Sequence, residues 1–348
     1  MKILAAVAIA IACAAPAVAA APPAPATPLF AAPNIIRLTI SGPMTAFARG
    51  HVQPGEQRSA VLTLAGGEAH DVQLAPRGIT RLKRDVCQFP PLRVRLAVPA
   101  APTSLLAGQR SLKLVTHCRG QASFQQNVLL EYAAYRLYNL ITPASLRVRL
   151  AQIDYVEEDG RPMVSRVGFF IEDIDDAARR IGLREVIAGH RVPTASLSPP
   201  EAARSALFQY MIANLDWSMR SGPVGDSCCH NFKLAGATQS PDGVLVPMPY
   251  DFDFSGLVNA PYAVAPEGLR VSSVRNRLYR GHCLHNAELP AAAAEFRAKR
   301  GALLGVFGQV PGLEPATQAK AAAFLDKFFV DIASDASVTE KLANNCIN

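Results

Sequence analysis

Leu92-Arg-Val-Arg-Leu96 alternates apolar and basic side chains, and Leu112-Lys-Leu-Val115 repeats the pattern. Strict alternation sends every second side chain to the same face, which is the period of a half-buried strand. Ile36-Arg-Leu-Thr-Ile40 and Ala60-Val-Leu-Thr-Leu64 upstream read the same way. Turn chemistry separates these runs at Pro54-Gly55, Gly66-Gly67 and Pro90-Pro91. The chain from Ile35 to about Leu114 is therefore expected to form a mostly antiparallel sheet.

The period changes after Gly120. Val128-Leu-Leu-Glu-Tyr-Ala-Ala-Tyr-Arg-Leu-Tyr-Asn139 carries apolar residues at helical spacing and predicts one amphipathic helix. Strands return at Ser145 to Tyr155 and Val167 to Ile171, with a polar hairpin near Glu157 to Arg161. A short helix is expected over Asp175 to Ile181, led by the acidic residues Asp173 to Asp176. Beyond Pro200 the chain reads as a helix to Leu215, a hairpin of Asn231–Lys233 with Val244–Met248, and two Ala-rich helices near 291–307 and 316–334. The expected fold class is α+β, with a strand-rich N-terminal lobe at 34–172 and a mainly helical C-terminal lobe at 173–348.

Lys2, the apolar run Ile3 to Ala12 and the small residues Val18-Ala19-Ala20 have the three-part form of a secretory signal, so 1–20 is expected to be removed. The run is shorter than the roughly 20 residues that span a bilayer. No later stretch reads as transmembrane. A lipoprotein reading through Cys13 is weakened because Ala10 stands where such signals usually carry Leu. Residues 21–33 form an Ala/Pro-rich leader that is expected not to pack. The implied location is periplasmic or secreted.

The net charge of +7 is scattered along the chain, and no nucleic-acid signature appears. Its densest basic group, Arg77, Arg81, Lys83, Arg84, Arg93 and Arg95, suits either an anionic ligand or a solvated strand face. Cys87, Cys118, Cys228, Cys229, Cys283 and Cys346 remain after processing, an even set that favours disulfides in an exported chain. The adjacent Cys228 and Cys229 are expected to take different partners. Zinc is the rival use, through Cys228, Cys229 and His230 with His282, Cys283 and His285, although the spacing matches no familiar pattern. A zinc hydrolase is further disfavoured because neither H-E-x-x-H nor G-x-S-x-G occurs.

Chemistry concentrates in Asn214-Leu-Asp216-Trp-Ser, Cys228-Cys-His230-Asn231-Phe-Lys233 and Pro249-Tyr-Asp251-Phe-Asp253. Carboxylates set among apolar runs are costly unless ions or donors compensate them, so the cluster points to a metal-assisted site. Phosphoryl transfer needs this inventory: a carboxylate to orient the acceptor, and an amide oxygen with further carboxylates to hold magnesium. Asp216 is the expected catalytic carboxylate, and Asn231, Asp251 and Asp253 are the expected metal ligands. His230 is expected to reach phosphate or the acceptor. Lys113 on its strand and Glu131 on its helix are expected to form an ion pair that fixes an ammonium against nucleotide phosphate. Glu172 in Phe169-Phe-Ile-Glu172-Asp173 is expected to reach a ribose hydroxyl, the competing reading being that Glu172 and Asp173 begin the next helix.

From about Lys113 to Tyr262 the chain resembles the CotH-type secreted kinases, atypical members of the protein-kinase superfamily, and more distantly the HipA-type kinases. The resemblance rests on Leu112-Lys-Leu-Val, Glu131-Tyr-Ala-Ala-Tyr-Arg-Leu-Tyr, Arg147-Val-Arg-Leu, Gly168-Phe-Phe-Ile-Glu172-Asp, Asn214-Leu-Asp216 and Pro249-Tyr-Asp251-Phe-Asp253. It implies a bilobal kinase-like fold, ATP with Mg²⁺ or Mn²⁺ as cofactors, and a protein hydroxyl as acceptor. Lys113 and Glu131 would be the phosphate-binding pair, Asp216 the catalytic aspartate, Asn231 a metal ligand and Asp251 the principal one. Two features depart from the family. Asn231 follows Asp216 at a much longer interval, and Gly66-Gly67 is an ordinary turn rather than a phosphate loop. The alternative expectation is a catalytically silent envelope scaffold that keeps a kinase shape.

Overall fold

The computed structural model describes residues 22–348. The signal features at Lys2, Ile3 to Ala12, Cys13 and Val18 to Ala20 lie outside the described residues. Strand β1 (Ile36–Ser41) is followed by a short helix α1 (Met44–Ala48) and then by β2 (Arg58–Leu64), β3 (Ala69–Pro76), β4 (Leu92–Leu96) and β5 (Ser111–Val115). Helix α2 (Ala122–Ile141) precedes β6 (Val148–Val156) and β7 (Pro162–Ile171). Helix α3 (Ile174–Arg180), β8 (Arg184–Val186), α4 (Pro199–Met211), β9 (Phe232–Gly236) and β10 (Val246–Pro249) follow. Helices α5 (Leu289–Ala298), α6 (Arg300–Gly305), α7 (Pro315–Asp331) and α8 (Asp335–Lys341) complete the chain.

The first seven strands close into a barrel in the order β1-β2-β3-β4-β5-β7-β6. Closure comes from the parallel pairing of β1 with β6, in which Leu38 lies opposite Ile153 and Ile40 opposite Tyr155. The expected bilobal kinase fold is thereby corrected: the strand-rich half is a closed mixed barrel, and the later part carries its own sheet, β10-β9-β8, among the helices. The reason is physical. Alternation records which face of a strand is buried, and that pattern is the same in an open sheet and a closed one. The parallel β1–β6 contact joins segments far apart in the chain, which local pattern cannot report.

Alternation along single strands sorts side chains between two cores. Val148 and Leu150 of β6 join the helical core, whereas Ala151, Ile153 and Tyr155 fill the barrel with Leu62, Leu74, Val94 and Leu114. Phe169 and Phe170 of β7 divide the same way. Gly168 permits the close approach of β7 to β5, because a Cβ there would lie 2.5 Å from the Val115 carbonyl oxygen. Helix α2 packs against the outer face of the barrel through Tyr132 and Tyr135, both edge-on to Phe169. In this core it meets Phe208 of α4 and Phe252, and the same apolar cluster extends to Phe296 of α5 and Phe328 of α7. The 21–33 leader also packs in part, since Leu29 and Phe30 are buried in the barrel core.

All six cysteines of the described residues form disulfides: Cys87–Cys118, Cys228–Cys229 and Cys283–Cys346. The adjacent pair bonds to itself, which corrects the expectation of separate partners and leaves no thiolate for the zinc reading. No helix among the described residues is long and apolar enough to cross a membrane.

His117 stacks on Phe89 with ring centroids 4.9 Å apart, and burial followed by the nearby Arg166 lowers its pKa to about 4. The folded state therefore holds a neutral imidazole that the unfolded chain protonates near pH 6.5. Its contribution is complete above that pH and is lost as pH falls towards 4. At about 1.4 kcal/mol per pKa unit, His117→Phe should gain about 3 kcal/mol on the wild type between pH 6.5 and pH 4. Urea unfolding of both proteins at the two pH values checks this, and parallel pH curves would reject it.

Candidate functional site

Helix α4 ends at Met211, and Ala213 adopts a left-handed conformation that turns the chain sharply into Asn214. The Asn214 side chain accepts a hydrogen bond from the Asp216 backbone N–H at 3.1 Å, and its carbonyl accepts one from the Trp217 indole at 2.9 Å. Arg280 donates to the carbonyls of Leu215 and Trp217. These bonds hold the Asp216 loop from both sides, so its carboxylate emerges half-exposed from a fixed backbone.

Asp216 and Asn231 are 15 residues apart, and the intervening loop folds back on itself. Ser218 donates its backbone N–H to the His230 carbonyl at 3.0 Å, and His230 returns one to Ser221 at 2.9 Å. The Asn231 amide then donates to the Asp216 carbonyl at 2.7 Å and to its Oδ2 at 3.1 Å. His230 Nε2 lies 2.7 Å from the other carboxylate oxygen. That hydrogen bond raises the histidine pKa against the opposing effect of partial burial, with the charges of Asp216 and Asp251 adding to the rise. The sequence placed His230 beside phosphate or the acceptor and did not foresee the dyad that it forms with Asp216.

Asn231 and Asp251 both have positive φ, at 54° and 64°, at the paired ends of β9 and β10. Asn and Asp tolerate this region better than most residues, because their short polar side chains bond locally. Asp251 is fixed by its backbone N–H, which donates to the Tyr135 hydroxyl of α2 at 2.9 Å. Asp253 accepts from the Tyr262 hydroxyl at 3.0 Å.

Arg81 is the unexpected member. It sits in a 3-10 turn (Thr80–Leu82) between β3 and β4, and only 7% of its surface is exposed. Its Nη1 lies 3.0 Å from Glu131, its Nη2 3.0 Å from Asp251 and its Nε 3.3 Å from Asp253. Glu131 thus pairs with Arg81, and the expected pair with Lys113 does not form. Burial alone would lower the arginine pKa, but Asp253 and Glu131 overcome it and raise it. Burial also raises Glu131 and Asp253, and Arg81 only partly offsets that rise. Nothing in the sequence around Arg81 marks it as buried, and its basic neighbours argue for the opposite.

Lys113 stands on β5 with its ammonium 5.8 Å from the centroid of the Tyr250 ring. Burial, then Arg77, lowers its pKa to about 8, with Lys233 and Arg93 also pressing downward and Asp173 opposing. Among the described residues Lys113 has no ion-pair partner within salt-bridge distance. Its cationic neighbours are Arg77, Lys233 and Arg93.

Glu172 is fully buried, accepts the Arg147 backbone N–H at 2.8 Å and pairs with Arg180 at 3.0 Å. It seals the junction of β6, β7 and α3, so the ribose contact expected of it is replaced by a structural one. Asp173 is the N-cap of α3, as the competing reading had it. Glu172→Ala should cost about 3–5 kcal/mol, as expected when one member of a buried ion pair is removed, and leave ligand binding at the cavity unchanged. Denaturant unfolding alongside a binding titration separates the two effects, and weaker binding without loss of stability would return Glu172 to the site.

Asp216, His230, Asn231, Asp251 and Asp253 share a cavity of about 520 Å³, and Arg77 and Lys233 line it with them. The vicinal Cys228–Cys229 disulfide forms part of the wall. No family model and no curated protein matches this chain. The cavity's chemistry therefore rests on its own geometry.

The donor set fits a hard divalent cation. Carboxylate oxygens of Glu131, Asp251 and Asp253 lie within 4.8 Å of one another, but Arg81 fills the space among them, so a cation would be held from the cavity side, by Asp251, Asp253 and Asn231. Burial, with a smaller contribution from the neighbouring carboxylates, raises the pKa values of Glu131 and Asp253. Oxygen donors of this kind suit Mg²⁺ or Mn²⁺.

Proposed function

We propose that the cavity binds a nucleoside triphosphate with a divalent cation and transfers the terminal phosphoryl group to a hydroxyl. The observation that carries this reading is that one cavity is lined both by carboxylates and an amide, Asp216, Asn231, Asp251 and Asp253, and by the cations Arg77 and Lys233. A polyphosphate with its metal is a ligand that requires both. Asp251, Asp253 and Asn231 would hold the cation, which supplies charge neutralisation at the phosphate oxygens. Arg77 and Lys233, which line the cavity, would present positive charge to the phosphate tail, and Lys113 stands 5.8 Å from the ring centroid of Tyr250, another lining residue. The motif resemblance to CotH-type kinases supports the same chemistry, although the fold expected from that family does not carry over to the barrel.

In the transfer step the acceptor oxygen forms a bond to the terminal phosphorus as the bond from phosphorus to the bridging oxygen breaks. The acceptor proton passes to Asp216, and the nucleoside diphosphate leaves. His230, hydrogen-bonded to Asp216, orients that carboxylate. A protein hydroxyl is the proposed acceptor, and an exported location is the proposed setting, supported by the three disulfides.

A binding protein that holds the nucleotide without transfer is the second reading. The observation that favours it is Arg81, which already contacts three carboxylates of the site. Labelled ATP with Mn²⁺ and a serine- and threonine-containing peptide pool distinguishes the two. Asp251→Ala should remove both the metal-dependent thermal shift with ATP and label incorporation. Equal incorporation by variant and parent would reject transfer at this site, and a thermal shift without incorporation in the parent would select the binding reading.

A further inference from the structure

We infer that Arg81 permanently takes the place of a second metal ion, so that the site accepts a single divalent cation. The inference rests on the proposed metal- and phosphate-binding reading and goes beyond it, by fixing the cation count and the residue that sets it. Glu131, Asp251 and Asp253 come from helix α2 and from the segment after β10, and they bring their carboxylate oxygens close enough to ligate one ion. Each of those carboxylates instead gives an oxygen to a different nitrogen of one guanidinium, at 3.0, 3.0 and 3.3 Å. Arginine suits this place because its planar fork offers donors in several directions and it keeps its charge when buried.

The chain builds Arg81 in firmly. Its turn lies in the β3–β4 connection, and the Cys87–Cys118 disulfide ties the far end of that connection to the residues after β5. The side chain is almost fully enclosed, and Glu131, its deepest partner, is 1% exposed. A metal ion entering between the same three carboxylates would face the guanidinium at contact distance, beside the buried Glu131 and Asp253, where repulsion is poorly screened. What remains free for a cation lies on the cavity side. There Asp251 is partly exposed, and the Asn231 amide spends its N–H on Asp216, which leaves its carbonyl oxygen available. Protein-kinase sites use two metal ions to neutralise the transferred group, where P-loop enzymes use one. In this chain one of those charges is covalently part of the protein.

Equilibrium dialysis against Mn²⁺ and a non-hydrolysable ATP analogue, followed by manganese counting, tests this without relying on activity. Wild-type protein should retain one Mn²⁺ per chain. Arg81→Gln, which removes the charge and keeps much of the volume, should retain two, and Arg81→Lys should stay at one. Two ions in the wild type would overturn the inference while leaving the proposed function standing, and this count is informative even if neither variant folds. One ion in a folded Arg81→Gln would also overturn it. No retained manganese in the wild type would reject the proposed function itself, and the inference with it.

Discussion

Arg81→Ala is expected to destabilise the protein by about 3–5 kcal/mol in metal-free buffer at neutral pH, the range for removing one partner of a buried ion pair. The alanine leaves Glu131, Asp251 and Asp253 facing one another with no cation between them, and two of the three are buried. At a few degrees per kcal/mol for a chain of this size, the melting temperature should fall by on the order of 10 °C. The loss should shrink as pH is lowered. Both Glu131 and Asp253 have pKa values raised in the folded state, so protonation relieves their repulsion first in the folded protein and only later in the unfolded chain. Urea unfolding at pH 5 and pH 7.5 measures both parts. An unchanged midpoint at neutral pH would mean that the carboxylates relax apart and that Arg81 is not their counter-charge.

Asp216→Asn is expected to reduce phosphoryl transfer by about 10²–10⁴-fold, the usual contribution of a positioned general base. The amide keeps the shape of the side chain and can still accept from His230, but it cannot take up the acceptor proton. Nucleotide-dependent thermal protection should therefore survive while label incorporation falls. His230→Asn should cost less, because the carboxylate persists and loses only its orienting partner. If Asp216→Asn and the parent incorporate label equally, Asp216 is a loop-fixing residue, and its bonds to Asn231 are its whole role.

Much of the local structure was legible in the sequence. The runs at 36–40, 60–64, 92–96 and 112–115 fall within β1, β2, β4 and β5, and the pattern from Val128 lies within α2. Local pattern carries these because each strand or helix buries one face regardless of what covers it. The barrel was not legible, since β1–β6 pairing depends on closure and twist rather than on composition. At the site, the order Asp216, His230, Asn231, Asp251 and Asp253 identified residues that share one cavity, and Asn214 braces the loop that carries Asp216. Two expected partnerships did not follow. Glu131 meets Arg81 instead of Lys113, and Glu172 meets Arg180 instead of a ligand. A charge in a sequence announces that a counter-charge is needed once it is buried, but not which one the fold will supply. Arg81 stood in a basic stretch that suited either an anionic ligand or a solvated strand face, and the turn between β3 and β4 instead carries it inward to protein carboxylates.

The central claim is that the carboxylates and the cations lining one cavity together hold a metal-bound polyphosphate. A crystal structure grown with Mn²⁺ and a non-hydrolysable ATP analogue tests this most directly, because manganese is located by its anomalous scattering. The expected result is one manganese site against Asp251, Asp253 and Asn231, with the phosphates directed towards Arg77 and Lys233. Manganese and nucleotide bound elsewhere on the surface, with this cavity holding neither, would contradict the account.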